Sequence, residues 1–496
     1  MKLTSTRDAA ARVTPAAAIL RGISPDGGLF VPTEFPAVSL KEMREMAGED
    51  YRARAMRILS AFLTDYDEKT LKGYIEKAYG AQFDGDSPAP VSKLENGKYV
   101  LELWHGPTMA FKDMALQLLP HLLTGASKML GSHQRSLILA ATSGDTGKAA
   151  MAGFADVPDT AILVFYPHGG VSEAQRLQMV TQRGGNVSAM AVEGNFDDTQ
   201  TGVKNIFGDK DMTDWLHERG WRFTSANSIN FGRLVPQVVY YFSAYADLVQ
   251  KDEIRCGDPV NFVVPTGNFG NILAGYYAKR MGLPMNRLVC ASNSNNVLSE
   301  FFADGHYNSH REFHKTLSPS MDILISSNLE RLLFEVCGRD GETVKAWMDQ
   351  LKQKGSYAVP GTVQNHIREN FWAAWADDGM TSEAIGDAFK QYHYLMDPHT
   401  AVGYRVYQDY RDITGDDTAT VLVSTASPFK FCKDVAHALG ERGERSDLEW
   451  AKWLTEKSGL VPPESFSELY ELPVRHKGVC EKEAMEEAVQ NFVASL

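Results

Sequence analysis

Lys112 lies in a largely apolar segment, residues 104–113, and precedes a helix-like apolar run, residues 114–119. A lysine held among apolar side chains loses the hydration of its ammonium, so its pKa falls and more of it is the neutral amine. The neutral amine is the species that attacks an aldehyde to form a Schiff base. The segment therefore makes Lys112 a candidate nucleophile, against the commoner alternative of a solvated lysine whose alkyl stem covers the core.

Two later segments each read as a buried strand, a glycine-containing turn and a helix. In the first, residues 136–141 lead into the turn 142–147, and in the second, residues 260–264 lead into the turn 265–271. Backbone N–H groups at such a helix start can bind an anion, and glycine allows close approach of the ligand. Each turn alone is also explained as a tight connection between a strand and a helix.

The spacing within these turns excludes two nucleotide motifs. Gly147 and Lys148 are followed by Ala149, and the glycine that a Walker loop needs five positions before Gly147 is Thr142. The second turn has glycines three residues apart and lacks the Gly-x-Gly-x-x-Gly fingerprint of dinucleotide binding. Neither an ATP loop nor an NAD site is expected.

Six ordered motifs, taken together, resemble threonine synthase. They are residues 25–32, 105–113, 141–147, 226–230, 267–271 and 424–426. The likeness runs over nearly the whole chain and is to the longer subgroup, whose members carry an N-terminal domain ahead of the catalytic core.

This resemblance implies a pyridoxal 5′-phosphate enzyme of fold type II, an α/β protein that converts O-phospho-L-homoserine and water to L-threonine and phosphate. By motif, Lys112 would form the Schiff base with the cofactor, and Thr425 would meet its pyridine nitrogen. The cofactor phosphate would be held by Gly267, Asn268, Phe269, Gly270 and Asn271. A dianion suits such a turn at a helix N-terminus.

The first turn is expected to serve the substrate. The resemblance places Thr142, Ser143, Gly144 and Thr146 around the α-carboxylate of the amino acid, and Asp145 near the phenolic oxygen of the cofactor. An aspartate beside anions needs a facing cation. Either Lys148 or the substrate ammonium could provide it, and a turn-forming aspartate bonded to its own backbone is the alternative.

Arg233 is the candidate clamp for the substrate phosphate, because an arginine fork matches two phosphate oxygens at once. Asn227 and Ser228 are further candidates for the same role. The alternative is a solvated surface charge, which is the commoner role of an arginine in the first turn of a helix.

The chain departs from the family pattern at one position. Ser427 stands two residues after Thr425, where relatives often have histidine, and Lys430 of the same motif is retained. His399 matches the family as well, and it either approaches the site or serves as a capping or packing residue.

Composition is that of an enzyme without a nucleic-acid or metal partner. The 496 residues carry a net charge of −13, so a basic footprint for nucleic acid is missing. Five cysteines are scattered without metal-ligand spacing, which predicts reduced thiols in a cytoplasmic protein and no metal. No segment has the length and apolarity of a signal peptide or a membrane span.

Short β-branched runs such as residues 160–166 and 420–423 alternate with helical patterns, which predicts three-layer α/β lobes. We expect an N-terminal helical domain (residues 1–95), a two-lobed catalytic core (96–445) whose small lobe covers about 135–225, and a helical tail (446–496). A monomer or a homodimer is expected.

Three other functions remain open. A phospholyase would stop after elimination and release 2-oxobutyrate, and a dehydratase would act on serine or threonine. A silent relative would keep the fold as a binding module, but the retained Lys112 and both glycine turns argue against it.

Overall fold

The structure is a computed structural model that describes residues 1–142 and 145–496. The α-helices of this described part are α1 Pro15–Arg21, α2 Leu40–Ala47, α3 Tyr51–Phe62, α4 Glu68–Ala78, α5 Asp113–Leu116, α6 Leu119–Met129, α7 Asp145–Phe154, α8 Glu173–Val180, α9 Phe196–Gly208, α10 Lys210–Glu218, α11 Phe231–Gln250, α12 Gly270–Arg280, α13 Val297–Asp304, α14 Leu329–Val336, α15 Gly341–Lys354, α16 Gly361–Asn370, α17 Asp378–Tyr392, α18 Pro398–Thr414, α19 Cys432–Ala438, α20 Asp447–Ser458, α21 Glu464–Ser467 and α22 Met485–Ala494.

The strands are β1 Leu3–Ser5, β2 Phe30–Pro32, β3 Val91–Glu95, β4 Lys98–Glu102, β5 Arg135–Ala141, β6 Thr160–Pro167, β7 Val187–Glu193, β8 Trp221–Thr224, β9 Val260–Pro265, β10 Met285–Ser292, β11 His306–Asn308, β12 Ser356–Ala358, β13 Phe371–Trp375, β14 Thr420–Ser424 and β15 Gly478–Glu481. Short 3₁₀ turns occur at Pro319–Met321, Pro428–Phe431, Glu468–Tyr470 and Lys482–Ala484.

A six-stranded sheet forms the larger lobe, in the order β13-β10-β9-β14-β4-β3. Its neighbouring strands are parallel except for β3, which runs antiparallel to β4. Because parallel strands end at the same edge, the segments that follow β9 and β14 leave the sheet side by side.

A five-stranded parallel sheet forms the smaller lobe, in the order β15-β7-β6-β5-β8. Its central strand β6 is buried at all eight positions, as expected of a strand covered on both faces. The edge strand β15 comes from the C-terminal tail, which the sequence pattern predicted as helical only.

Alternate residues of the central strands belong to different hydrophobic clusters. Phe262 and Val264 of β9 pack into one cluster while Val263 between them packs into another, and Ile138 and Leu139 of β5 divide in the same way. Because side chains alternate between the faces of a sheet, both sheets are covered on both sides. The predicted three-layer α/β fold is confirmed.

Helix α7 follows β5 so closely that its first turn requires a glycine. A Cβ added to Gly147 would lie 2.4 Å from Thr142 Cγ2 and 2.7 Å from Val164 Cγ1. The small residue thus lets the helix start pack directly on the end of the sheet.

Among the described residues, no helix is long and apolar enough to cross a membrane. The same part of the chain contains no cluster of three histidine, cysteine, aspartate or glutamate side chains that could hold a metal ion.

Candidate active site

Lys112 is tied to the segment that leaves β14. The N–H of Phe111 donates to the carbonyl of Thr425 at 2.9 Å, and the N–H of Ser427 donates to the carbonyl of Met109 at 3.1 Å. Met109 has a left-handed backbone with φ of 55°, which turns the chain into this pairing. The structure therefore brings together Lys112 and Thr425, two predicted site residues that are far apart in sequence.

The Lys112 amine is half-buried among charged neighbours. Burial lowers the pKa of Lys112 to about 8; the cations Lys430 and Arg233 also lower it, whereas the carboxylates of Asp145 and Asp113 raise it. Within the described chain, no hydrogen bond or ion pair engages its Nζ atom. Lys112 thus combines a raised fraction of neutral amine with a free nitrogen, as a nucleophile requires.

Lys430 is the cation that faces Asp145. Its Nζ lies 2.6 Å from Asp145 Oδ1 and also donates to the carbonyl of Thr108 at 3.0 Å. Burial would raise the pKa of Asp145, but the charge of Lys430 holds it well below its usual value. Lys148, the cation that the sequence suggested, instead donates to Gln182 Oε1 at 2.5 Å.

Ser320 connects Asp145 to a buried histidine. Its hydroxyl donates to Asp145 Oδ2 at 3.3 Å, and its N–H donates to His399 Nε2 at 3.2 Å. Because Nε2 accepts, the proton of His399 lies on Nδ1, which is 2.8 Å from Asp397 Oδ1. His399 is therefore buried at a helix start and also reaches the site through Ser320.

The turn between β9 and α12 is tightly packed. Phe269 adopts a left-handed conformation with φ of 64° immediately before the helix. A Cβ on Gly267 would lie 2.9 Å from the carbonyl oxygen of Ser320, and one on Gly270 would lie 3.4 Å from Asn328 Nδ2. Gly267 thus allows the 3₁₀ turn Pro319–Met321 to approach closely, whereas a Cβ on Gly270 would make only ordinary van der Waals contact.

A second segment, residues 326–328, forms hydrogen bonds to the same turn. Ser326 Oγ donates to the carbonyl of Gly267 at 2.7 Å, and Asn328 donates to the carbonyl of Asn268 from both N and Nδ2, at 3.1 and 2.9 Å. The exposed Asn268 side chain accepts from Ser327 Oγ at 3.3 Å. This segment could not be predicted from the sequence, because its contacts depend on long-range packing.

Two buried donors in this region lack a protein acceptor. Asn271 Oδ1 accepts from the hydroxyls of Tyr240 and Tyr241, at 2.6 and 2.9 Å, while its Nδ2 has no partner among the described residues. Arg233 is 4 % exposed and donates from Nη1 to the carbonyl of Ala226 at 2.6 Å, and its Nε is likewise unpartnered. Unsatisfied buried donors are costly and are expected to meet a ligand or water.

The Arg233 guanidinium is not the solvated surface charge that the sequence left open. Burial lowers its pKa to about 10, and within the described residues no carboxylate pairs with it. A buried cation without an acid partner is a ready site for an anionic group.

Ser228 lies beside the turn between β9 and α12, whereas the side chain of Asn227 forms a hydrogen bond within its own loop. Ser228 Oγ accepts from Asn328 Nδ2 at 3.4 Å, and Asn328 bonds to the turn after β9. Asn227 is exposed, and its Oδ1 accepts from the N–H of Ile229 at 3.2 Å. Of the two weaker candidates, Ser228 has the closer connection to the site.

The remaining predicted substrate residues belong to the turn before α7. Thr142 is buried and its Oγ1 accepts from the N–H of Gly147 at 3.1 Å, while Thr146 is half-buried in the first helical turn. The predictions for Ser143 and Gly144 lie outside the described residues.

Ser427, which stands where the resemblance led us to expect a histidine, caps a turn. It is fully buried, and its Oγ accepts from the N–H of Phe429 at 3.3 Å at the start of the 3₁₀ turn Pro428–Phe431. This turn carries Lys430, so Ser427 contributes to the placement of that cation.

Family models match the chain in three parts, of which the second and third overlap. The model described as "Threonine synthase N terminus" matches residues 2–79, "Pyridoxal-phosphate dependent enzyme" matches residues 85–426, and "Threonine synthase, C-terminal" matches residues 400–493.

Curated relatives and solved structures agree with these models. The chain is 41% identical over 433 residues to threonine synthase-like 1 of Homo sapiens, covering 85% of this chain and 57% of that protein. It is 40% identical over 442 residues to threonine synthase of Pseudomonas aeruginosa, covering 88% of this chain and 90% of that protein.

The structure superposes on two solved threonine synthases. That of Brucella melitensis with pyridoxal phosphate bound has a TM-score of 0.88 at 37% identity, covering 99% of each chain. That of yeast has a TM-score of 0.89 at 33% identity, covering 100% of this chain and 99% of that one. The matches to the three family models, the curated relatives and the two solved structures together show that the chain belongs to the threonine synthase family of pyridoxal-phosphate-dependent, fold type II enzymes.

Proposed function

We propose that this chain converts O-phospho-L-homoserine and water to L-threonine and phosphate. The observation that carries the proposal is the buried Arg233, which has no acid partner among the described residues and lies close enough to Lys112 to lower its pKa. A substrate that carries both an amine and a phosphate would engage both residues. A dehydratase acting on serine or threonine has no use for such an arginine.

The residues of the site fit pyridoxal phosphate. The Nδ2 of Asn271, which has no partner among the described residues, and the N–H groups at the start of α12 suit the cofactor phosphate. A larger residue at Gly267 would crowd the carbonyl of Ser320. Lys112 would bind the cofactor covalently, and the Thr425 hydroxyl would face its ring nitrogen. When bound, the cofactor supplies an electron sink that makes the α-carbon of an amino acid acidic.

The protein groups then divide the work of the reaction. Lys112, in its neutral form and with its nitrogen free, would remove the proton from the α-carbon. Arg233 and Ser228 would hold the phosphate as it leaves the γ-carbon, since charge-assisted bonds stabilise a departing dianion. Thr142 and Thr146 would orient the α-carboxylate.

Product analysis tests the proposal. Purified protein incubated with O-phospho-L-homoserine should release L-threonine and phosphate in equal amounts. Release of 2-oxobutyrate as the main product would replace the proposal with a phospholyase, and turnover of serine with no response to phosphohomoserine would replace it with a dehydratase.

The role of Lys112 has a separate test. Lys112→Ala should lose both turnover and the visible absorption of the lysine-bound cofactor, whereas Lys128→Ala, at an exposed lysine on α6, should keep both. Borohydride trapping followed by peptide mapping should label Lys112. A label on any other lysine would refute the assignment.

We also propose a cytoplasmic protein that is a monomer or a homodimer, with the domain division expected from the sequence except at the first boundary. Strand β3, Val91–Glu95, pairs with β4 in the larger sheet, so the catalytic core would begin before residue 91. The five cysteines are free thiols, which supports a reducing compartment. The five-stranded sheet draws four of its strands, β5 to β8, from residues 135–224, which supports a separate small lobe.

A further inference from the structure

We propose that Lys430 is a positioning residue for the reaction: its ammonium captures the Asp145 carboxylate and so prevents Asp145 from pairing with Lys112. This inference rests on the proposed function, because it assigns Lys430 a role in keeping Lys112 available as a free amine.

The geometry singles out Lys430. Its side chain is 3% exposed and that of Asp145 is 4% exposed, and the two charged groups are 2.6 Å apart. A bond to the carbonyl of Thr108 holds the ammonium from the other side, and Ser320 Oγ binds the second oxygen of Asp145. Together these contacts hold the Asp145 carboxylate against the Lys430 ammonium.

Without Lys430, Asp145 would compete for Lys112. The charged groups that face Lys112 are Asp145, Lys430, Arg233 and Asp113, and the carboxylate of Asp145 has the largest effect of these neighbours. A carboxylate next to an amine favours the ammonium, which cannot attack a carbonyl carbon. The ion pair removes this competition while leaving the negative charge in place.

The other titratable neighbours do not replace Lys430. His399 faces Asp145, but its Nε2 accepts a hydrogen bond and so carries no proton. Lys148 faces Asp113 and Lys430, and its own Nζ is bonded to a glutamine. Lys430 is thus the one cation among the described residues that contacts the Asp145 carboxylate directly.

Stability alone does not account for this pair. Burying two opposite charges usually costs about as much solvation as their attraction returns, so a buried pair is often no better than an apolar one. Here the pair lies beside Lys112 and Arg233, two further cations with lowered pKa values. Such an arrangement is typical of a functional site.

The test is a pH titration of the visible absorption of the full chain loaded with pyridoxal phosphate, in which the nitrogen of Lys112 is the titrating atom. Lys430→Met should raise the midpoint by about one to two pH units, since Asp145 is left facing Lys112. Asp145→Asn should lower the midpoint, because Lys430 is then an uncompensated cation. The double variant should lie between the two single variants.

Two controls separate a positioning role from a structural one. Lys430→Arg should restore a midpoint near that of the wild type, because it keeps the charge. Lys433→Met should leave the midpoint unchanged, since Lys433 lies on α19, is exposed and, within the described chain, forms its ion pair with the exposed Glu444. If Lys430→Met does not fold, Asp145→Asn and the charge-balanced double variant carry the decision.

An unchanged midpoint in Lys430→Met, or a double variant outside the range of the single variants, would overturn the inference. Failure of the proposed function looks different. In that case the wild type itself would show no visible band, or would show one and not form threonine.

Discussion

Replacing Arg233 should weaken substrate binding without lowering the stability of the protein. It is buried, and no carboxylate in the described part of the chain pairs with it, so its desolvation lowers the stability of the fold, whereas a bound phosphate would compensate its charge. We expect Arg233→Met to raise KM for phosphohomoserine by about 30-fold or more, the effect of losing a buried charged contact of roughly 2 kcal/mol.

The same variant should unfold at an equal or higher temperature, because a methionine removes the buried charge. Enzyme kinetics and thermal unfolding followed by circular dichroism measure the two effects. Arg219→Met, at an arginine that stacks on Trp215 at the surface, should change neither. A destabilised Arg233→Met with an unchanged KM would show that the arginine is structural.

The lowered pKa of Lys112 predicts how cofactor attachment depends on pH. With a pKa of about 8 in place of 10.5, the neutral fraction of Lys112 at pH 7 is about 300-fold larger than that of a free lysine. The rate should therefore rise about tenfold per pH unit below pH 8 and level off above it. Stopped-flow absorbance after mixing cofactor-free protein with pyridoxal phosphate measures this rate, and a rate still rising at pH 10 would contradict the prediction.

At the residue scale, the sequence predicts those site residues whose motif is local. Lys112, Thr425 and the turn after β9 are each recognisable within a few positions, and the structure brings Lys112 and Thr425 together. The partner of Asp145 could not be predicted, because Lys430 lies in the 3₁₀ turn after β14 and meets Asp145, at the start of α7, only in the folded chain. The motif that contains Lys430 is visible in the sequence, but it does not show which group the Lys430 ammonium contacts.

At the scale of elements, the contact between α5 and α7 depends on a single glycine. A Cβ on Gly153 would lie 2.0 Å from the carbonyl oxygen of Leu116, at the end of the short helix that begins after Lys112. Gly153→Ala should destabilise the protein by about 2–3 kcal/mol and weaken cofactor attachment, because the helices must separate.

Gly73→Ala is the matched control. Gly73 lies inside α4 with no atom within 4 Å of an added Cβ, so the substitution should stabilise the protein by about 0.5–1 kcal/mol through helix propensity. Chemical denaturation measures both variants. Equal effects of the two substitutions would mean that the contact of α7 with Leu116 is not tight.

Strands can be predicted from the sequence where their burial produces a clear pattern of apolar residues. The apolar runs at 160–166 and 420–423 became β6 and β14, because strands covered on both faces are apolar throughout. Strand β15 was missed because its burial alternates between half-buried and exposed positions in a charged tail. The segment 326–328 was missed because its hydroxyls and amide act on the turn after β9, which is distant in sequence.

At the scale of the whole molecule, the N-terminal region is bonded to the core beside the active site. Arg7 donates from Nε and Nη2 to the two oxygens of Glu330, at 2.9 and 2.8 Å, and Thr6 Oγ1 donates to the same carboxylate at 2.5 Å. The neighbouring Arg331 is fully buried and donates to the carbonyl of Phe30 in β2. These contacts should make the N-terminal region and the core unfold as one unit.

Arg7→Met tests this coupling. The Glu330 side chain is only 6% exposed, so the loss of its cation should lower the free energy of unfolding by about 2–3 kcal/mol, somewhat less than for a fully buried pair because Arg7 is 21% exposed. Far-UV circular dichroism and the visible absorption of the cofactor should still report a single, shifted transition. Arg52→Met, which removes a half-exposed pair with Asp50 at 3.6 Å, should shift it little. An early transition of the N-terminal region that leaves the cofactor absorption intact would show that the two parts unfold independently.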